Sequence, residues 1–157
     1  MTASLRIRRA QRGEASALGA LCVRSKAHWG YDAEFMRLSW RSLQIDPAAI
    51  AAGRVFVAVD ERDRPLGVVD CALLGEDVDL VHLFVEPSAL GRGVGRALFA
   101  VAAEWTRAQS RRTLLIASDP NAVGFYRRLG AVDAGCIESE AVPGRMLPLL
   151  KYAVDGA

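Results

Sequence analysis

The stretch VHLFVEPSALGRGVGRALF, residues 81–99, decides how this chain is read. Its first half is a run of β-branched and aromatic residues stopping at Pro87, the pattern of a buried strand. Gly91, Gly93 and Gly95 follow and open directly into a helix over 94–109, where Leu98, Val101, Ala102 and Trp105 step by three and four. Glycines at alternate positions remove the Cβ atoms that keep a ligand off the backbone. The helix start adds unpaired N–H groups and the positive end of its dipole. The turn, including Val94, suits a phosphate or pyrophosphate, with Arg92 and Arg96 placed to add charge-assisted contacts. A P-loop is excluded because neither lysine nor Ser/Thr follows the glycines. A dinucleotide fingerprint is disfavoured because the spacing is GxGxG rather than GxGxxG. A strand-to-helix turn that binds nothing is the plain structural alternative.

Outward from this turn the period changes along the chain. Residues 4–9 alternate as a short strand, and 14–27 carry Ala17, Leu18, Leu21 and Cys22 at helical spacing. After the break His28-Trp29-Gly30-Tyr31, Asp32 caps a second helix expected through about Leu43, and Asp46-Pro47 starts one short turn over 48–52. Residues 54–60, 65–74 and 78–87 read as three strands whose short links predict an antiparallel meander. Beyond the long helix come a strand at 113–118, a helix at 121–129 closed by Gly130, and strands near 132–139 and 147–154. The order β-αα-βββ-α-β-α-ββ predicts an α+β (mixed α/β) domain with a mostly antiparallel sheet of about seven strands. One domain over 1–157 is expected.

Composition narrows the partners. Of 157 residues 52% are apolar, enough for a core without disulfide or structural metal. Twenty basic against 18 acidic residues, without long like-charge runs, argue against nucleic acid or an anionic membrane as partner. No stretch approaches the ~20 apolar residues of a membrane span. Residues 1–15 lack the apolar core of a secretory signal. Cys22, Cys71 and Cys136 are odd in number and sit among apolar neighbours, so three reduced core thiols and a cytoplasmic location are expected. No metal site is read.

At residues 90–95, LGRGVG, the chain resembles the Gcn5-related N-acetyltransferase (GNAT) superfamily, whose hallmark is Q/R-x-x-G-x-G/A between a central strand and a long helix. Leu90 stands where that motif has Gln or Arg, so one side-chain contact is missing while the main-chain cradle is kept. Upstream LFVEP is similar to the family's V-x-P strand end, and downstream SDPNAVGFYRRLGAVDAG is similar to its N-x-x-x-x-x-Y-x-x-x-G segment. Element order agrees from residue 4 to about 154.

The resemblance implies acetyl-coenzyme A as co-substrate, its pyrophosphate on the N–H groups of residues 91–96. It implies a pantetheine arm paired like an added strand with the backbone of Leu83, Phe84 and Val85, and contacted by Asn121. It implies direct attack of an amine on the thioester, with Tyr126 as general acid to the departing thiolate and a strand N–H near Val85 as oxyanion donor. By position alone Tyr126 reads as a core aromatic. Asp79, eleven residues before Leu90, matches a site where some members carry a catalytic Glu; a strand-end carboxylate paired with arginine is the equal alternative, and waters alone serve some members. Strand alternation sets His82 and Glu86 on the face opposite Asp79, with His82 a packed residue.

For the acceptor, His28, Trp29 and Tyr31 lie where the family's first two helices cover the cleft and offer a cation–π cage for an ammonium, or simply pack a helix–helix turn. Arg145, in the segment 142–148, is available for a substrate carboxylate; the same segment equally suits a homodimer contact. The expected acceptor is a primary amine of a small molecule. A protein N-terminus or lysine is the runner-up, and a catalytically silent coenzyme A-binding module the alternative of another class.

Overall fold

The structure, a computed structural model, describes residues 4–154. Val55, Val57 and Val59 alternate along β2 (Val55–Val59) and bury one face, so the central strands form by packing as much as by propensity. Antiparallel to β2 run β1 (Arg6–Arg9) on one side and β3 (Pro65–Leu74) on the other, and β4 (Asp77–Val85) completes the meander. β5 (Thr113–Ala117) is parallel to β4, and β7 (Met146–Ala153) inserts between β5 and the edge strand β6 (Val132–Glu138). The sheet order is β1-β2-β3-β4-β5-β7-β6, the seven-stranded mostly antiparallel α/β sheet expected.

The helices form two layers. Against one face lie α1 (Ala15–Ala27) and α3 (Pro47–Ala51), where Leu18, Leu21, Cys22 and Ile50 pack on Val55, Val57, Val59 and Val68. On the other, α4 (Val94–Ala108) and α5 (Val123–Arg128) bring Leu98, Phe99, Val123 and Tyr126 onto Val69, Val78, Leu114 and Ile116. Gly67 in β3 is needed for this contact: a Cβ there would lie 2.8 Å from Leu98 Cδ1 and 2.9 Å from Val94 Cγ1.

Several expectations are corrected. The helix expected over 32–43 ends sooner, as α2 (Ala33–Ser39) followed by a 3-10 turn at Arg41–Leu43. Ser42 Oγ donates to the Ser39 carbonyl at 2.8 Å, competing with continued helical bonding. The helix expected from 121 starts at Val123, because Asp119 Oδ1 accepts the Asn121 N–H at 2.8 Å and stabilises a separate 3-10 turn at Pro120–Ala122. Cys22 and Cys71 are buried, and burial pushes each thiol up to about 12, whereas Cys136 is exposed on β6. An edge strand with one neighbour leaves that thiol uncovered.

The largest correction concerns strand faces. Asp70 pairs with His82 but Cys71 pairs with Leu80, so Val81 is the extra residue of a β-bulge. The bulge exchanges the faces of β4. Before it Val78 and Leu80 join the α4-side core; after it Leu83 and Val85 do, while Phe84 packs with the α1-side cluster. Asp79, His82 and Glu86 therefore share the α1 side, not opposite sides as simple alternation gives.

Candidate active site

Two backbone features lie side by side at the carboxyl end of β4. The first is the glycine turn. Gly91 and Gly93 have φ of 79° and 80°, a region that favours glycine, and Gly93 forms the N-cap of α4. The first intrahelical bond runs from Ala97 N–H to Gly93 O at 3.0 Å, leaving the N–H groups of Val94, Gly95 and Arg96 outside the helical ladder. A Cβ at Gly91 or Gly93 meets no protein atom within 4 Å. Gly95 differs: its Cβ would sit 3.1 Å from Phe125 Cζ and 3.5 Å from Val85 Cγ2, so this glycine lets α5 close on α4 rather than admitting a ligand.

The second feature is an open strand edge. β4 pairs with β5 only at Val78–Leu114 and Asp79–Leu115, and the strands separate beyond. Glu86 N–H donates to Leu66 O at 2.8 Å, so in this antiparallel register Glu86 and Phe84 spend their backbone groups on β3. Leu83 and Val85 turn theirs to the open side. Of the three residues expected to pair with a pantetheine arm, Phe84 is thus corrected to a β3 partner.

Tyr126 lies in the α4-side core that Leu83 and Val85 also join, between the rings of Phe99 (6.0 Å) and Phe125 (5.1 Å). Burial, with Asp119 nearby, pushes its phenol well above the ordinary range, so the hydroxyl keeps its proton.

On the α1 side the bulge assembles a group of acids. His82 Nε2–H donates to Ser42 O at 2.7 Å, and Nδ1 lies 3.1 Å from Asp70 Oδ2. This buried couple ties β3 and β4 to the 3-10 turn, and Asp70 Oδ1 has no partner among the described residues. Asp79 lies near it, half-buried. Burial first, then the charges of Glu140 and Asp70, hold its carboxyl above the usual range, opposed by His82. Glu86 does not join this group; it takes a bidentate pair from Arg24 at 2.7 and 2.8 Å, tying α1 to the end of β4.

Three loops converge on Asp119, a residue that sequence reading passed over. Its Oδ2 accepts Lys26 Nζ at 2.6 Å and Tyr31 OH at 2.8 Å; its Oδ1 accepts the N–H and Nδ2 of Asn121 at 2.8 and 2.9 Å. Arg145 Nη2 donates to Tyr31 OH at 2.9 Å and Asn121 Nδ2 to the same oxygen at 3.2 Å, so Asn121, expected along the pantetheine arm, meets Tyr31 and Arg145 here. His28 and Trp29 stay at the exposed end of α1, edge-on to each other at 5.6 Å. The expected ammonium cage is also corrected: Tyr31 stacks on Phe35 at 3.9 Å, and the chain's own Lys26 and Arg145 lie over that pair. Asp119 carried a sequence signal, an Asp-Pro start, but one indistinguishable from a turn cap. Lys26 carried another, being one of two lysines in a chain whose other 18 basic residues are arginines.

No group of three or more metal-ligating side chains occurs among the described residues, and none of their helices is long and apolar enough to cross a membrane.

A sheet that splits beside a helix-initiating glycine turn is the arrangement that the resemblance to N-acetyltransferases implies. The chain belongs to the acetyltransferase (GNAT) domain family, whose model matches residues 51–130. It is 37% identical over 103 residues to the peptidyl-lysine N-acetyltransferase YjaB of Escherichia coli (strain K12) and 34% identical over 96 residues to that of Salmonella typhimurium. These matches cover 66% and 61% of this chain, and span 65% and 61% of the curated relatives' length. The solution structure of apo YjaB from Escherichia coli superposes with a TM-score of 0.68 at 30% identity, covering 98% of this chain and 99% of that one. The PaiA N-acetyltransferase from Thermoplasma acidophilum, solved in complex with coenzyme A, shares the fold with a TM-score of 0.77 at 14% identity, covering 96% and 99%.

Proposed function

We propose that this chain transfers an acetyl group from acetyl-coenzyme A to a primary amine of a small molecule by direct attack. The observation that carries the reading is the adjacency of unladdered amides at Val94, Gly95 and Arg96 to the open β4 edge at Leu83 and Val85. Together they fit a long carrier with an anionic diphosphate at one end and an amide-bearing arm along its length. Acetyl-coenzyme A supplies an activated acyl group on a thiol leaving group. The N–H of Leu83 or Val85 is a donor for the carbonyl oxygen as negative charge develops there. Tyr126 OH donates to the departing sulfur, and Asp79 receives the amine's proton directly or through water.

The relatives' name, peptidyl-lysine N-acetyltransferase, favours a second reading in which the amine is a lysine side chain of a protein. Thiol release from acetyl-coenzyme A with a panel of free amines and a lysine peptide separates the two. The small-molecule reading expects faster turnover of free amines; turnover confined to the peptide overturns it, and no release with any acceptor refutes both.

Asp79 gives a paired prediction. Because its folded pKa is raised, its contribution to stability is present in acid and is lost as pH rises through that value. Asp79→Asn is therefore expected to melt higher than the wild type at neutral pH and to converge with it in acid. The same variant is expected to lose about tenfold in kcat/KM for the amine, less than the ~100-fold of an obligatory base because water shares the task. An unaltered pH–rate profile removes Asp79 from the reaction.

A further inference from the structure

Resting on acetyl transfer to a free amine as read above, we propose that the acceptor is a zwitterion whose carboxylate is bound by Arg145 and Lys26 at the Tyr31–Phe35 stack. The argument begins with a charge count. Among the described residues Asp119 is the one carboxylate that pairs with these two cations. Its Oδ2 is taken by Lys26 and Tyr31 and its Oδ1 by the two nitrogens of Asn121. Four short bonds fill a carboxylate's acceptor positions. Arg145 Nη2 stands off at 3.8 Å from Asp119 Oδ2 and donates to the neutral Tyr31 hydroxyl. The cluster thus holds two positive charges against one negative.

This excess charge is mostly withdrawn from water, since the side chains of Lys26, Asp119 and Arg145 are 12%, 11% and 19% exposed. A cation in such a place gains more from an incoming anion than one on an open surface. Arg145 is also held for the task. Its Cζ lies 4.7 Å from the Phe35 ring centroid and 5.3 Å from that of Tyr31. Its Nε and Nη1 have no acceptor among the described residues, and a planar fork fixed by aromatic contact loses little freedom when a carboxylate docks.

The other end of the acceptor is provided for by the same loop. Ser139 N–H donates to Arg145 O at 2.7 Å, closing the loop that carries both Glu140 and Arg145. Glu140 is electrostatically coupled to Asp79 on β4, and Arg145 belongs to the Asp119 cluster. One loop therefore carries an acidic residue acting on Asp79 and a basic residue of the Asp119 cluster, a pairing that an ammonium and a carboxylate on one small molecule satisfy. A neutral-ended amine, or a lysine inside a peptide, leaves the basic residue without its anion.

The test compares free amino acids with their carboxamides, which keep the amine and size but lose the negative charge. In thiol release the acids are expected to exceed their own amides in kcat/KM by roughly tenfold or more, the value of a charge-assisted contact. That ratio should fall to within about threefold in Arg145→Met and remain partly in Arg145→Lys. Equal use of acids and amides by the wild type overturns the proposal whether or not any variant folds, and a ratio that survives Arg145→Met overturns the role of Arg145. Calorimetric titration of the same pairs into the wild type with coenzyme A present needs no turnover. If no amine releases thiol, acetyl transfer fails as a reading, yet tighter binding of acids than amides still supports the carboxylate subsite. Equal or undetectable binding of both disproves it.

Discussion

Gly93→Val is expected to weaken coenzyme A binding by about 100-fold in calorimetric titration. Gly93 caps α4 at φ 80°, a conformation that a β-branched residue adopts only at a cost of about 1–3 kcal/mol. Relaxing that strain turns the peptide planes at the helix start and misaims amides that each contribute about 1.5–3 kcal/mol to a charged acceptor. A loss near 3 kcal/mol corresponds to roughly two orders of magnitude in affinity. Gly93→Asn separates the two causes. Asn tolerates positive φ, and its Cβ meets no protein atom within 4 Å. Near wild-type affinity in Gly93→Asn assigns the effect to backbone conformation, whereas a loss equal to that of valine assigns it to close approach of the ligand. Unchanged affinity in Gly93→Val removes the cradle from the site altogether.

Gly95 shows how far such a turn is legible in sequence. In one dimension the three glycines are equivalent. In three, Gly91 and Gly93 serve the backbone, while Gly95 makes room for Phe125, whose position comes from a helix 30 residues further along. The element order was legible because it rests on local period: valines alternating in β2, the three-and-four steps of α4, and Asp-Pro and Asp caps. The exchange of faces in β4 was not. Val81, its extra residue, is β-branched like its neighbours and carries none of the glycine or proline punctuation that marks an irregular strand. One unsignalled residue moved His82 and Glu86 across the sheet from where counting put them.

The acceptor side was illegible for a different reason. Lys26, Asp119 and Arg145 come from the end of α1, the turn after β5 and the loop between β6 and β7; Lys26 and Asp119 alone read as ordinary surface or capping residues, and Arg145 reads as a carboxylate partner without the neighbours that hold it. Only the sheet order, with β7 inserted between β5 and β6, brings the last loop over the first two. The coenzyme side is made mainly of backbone, which a motif encodes locally. The acceptor side is made of side chains that meet through topology.

Tyr126→Phe is expected to lower kcat by about 100-fold while leaving acetyl-coenzyme A affinity within a few-fold, as stopped-time thiol assays and calorimetry will read. The substitution keeps the ring between Phe99 and Phe125, so the fold is not the cause of any loss. What disappears is one hydroxyl that burial keeps protonated at every working pH. A donor of that kind supplies a hydrogen bond that strengthens as charge collects on sulfur, and it therefore acts on the barrier rather than on ground-state binding. The dependence on leaving group sharpens the test. An acetyl thioester of a more acidic thiol needs less help in departing, so the penalty of Tyr126→Phe should shrink with such a donor. A penalty that is the same for acidic and ordinary thiols moves the role of Tyr126 from proton donor to packing, and full activity of the variant with acetyl-coenzyme A excludes it from the chemistry.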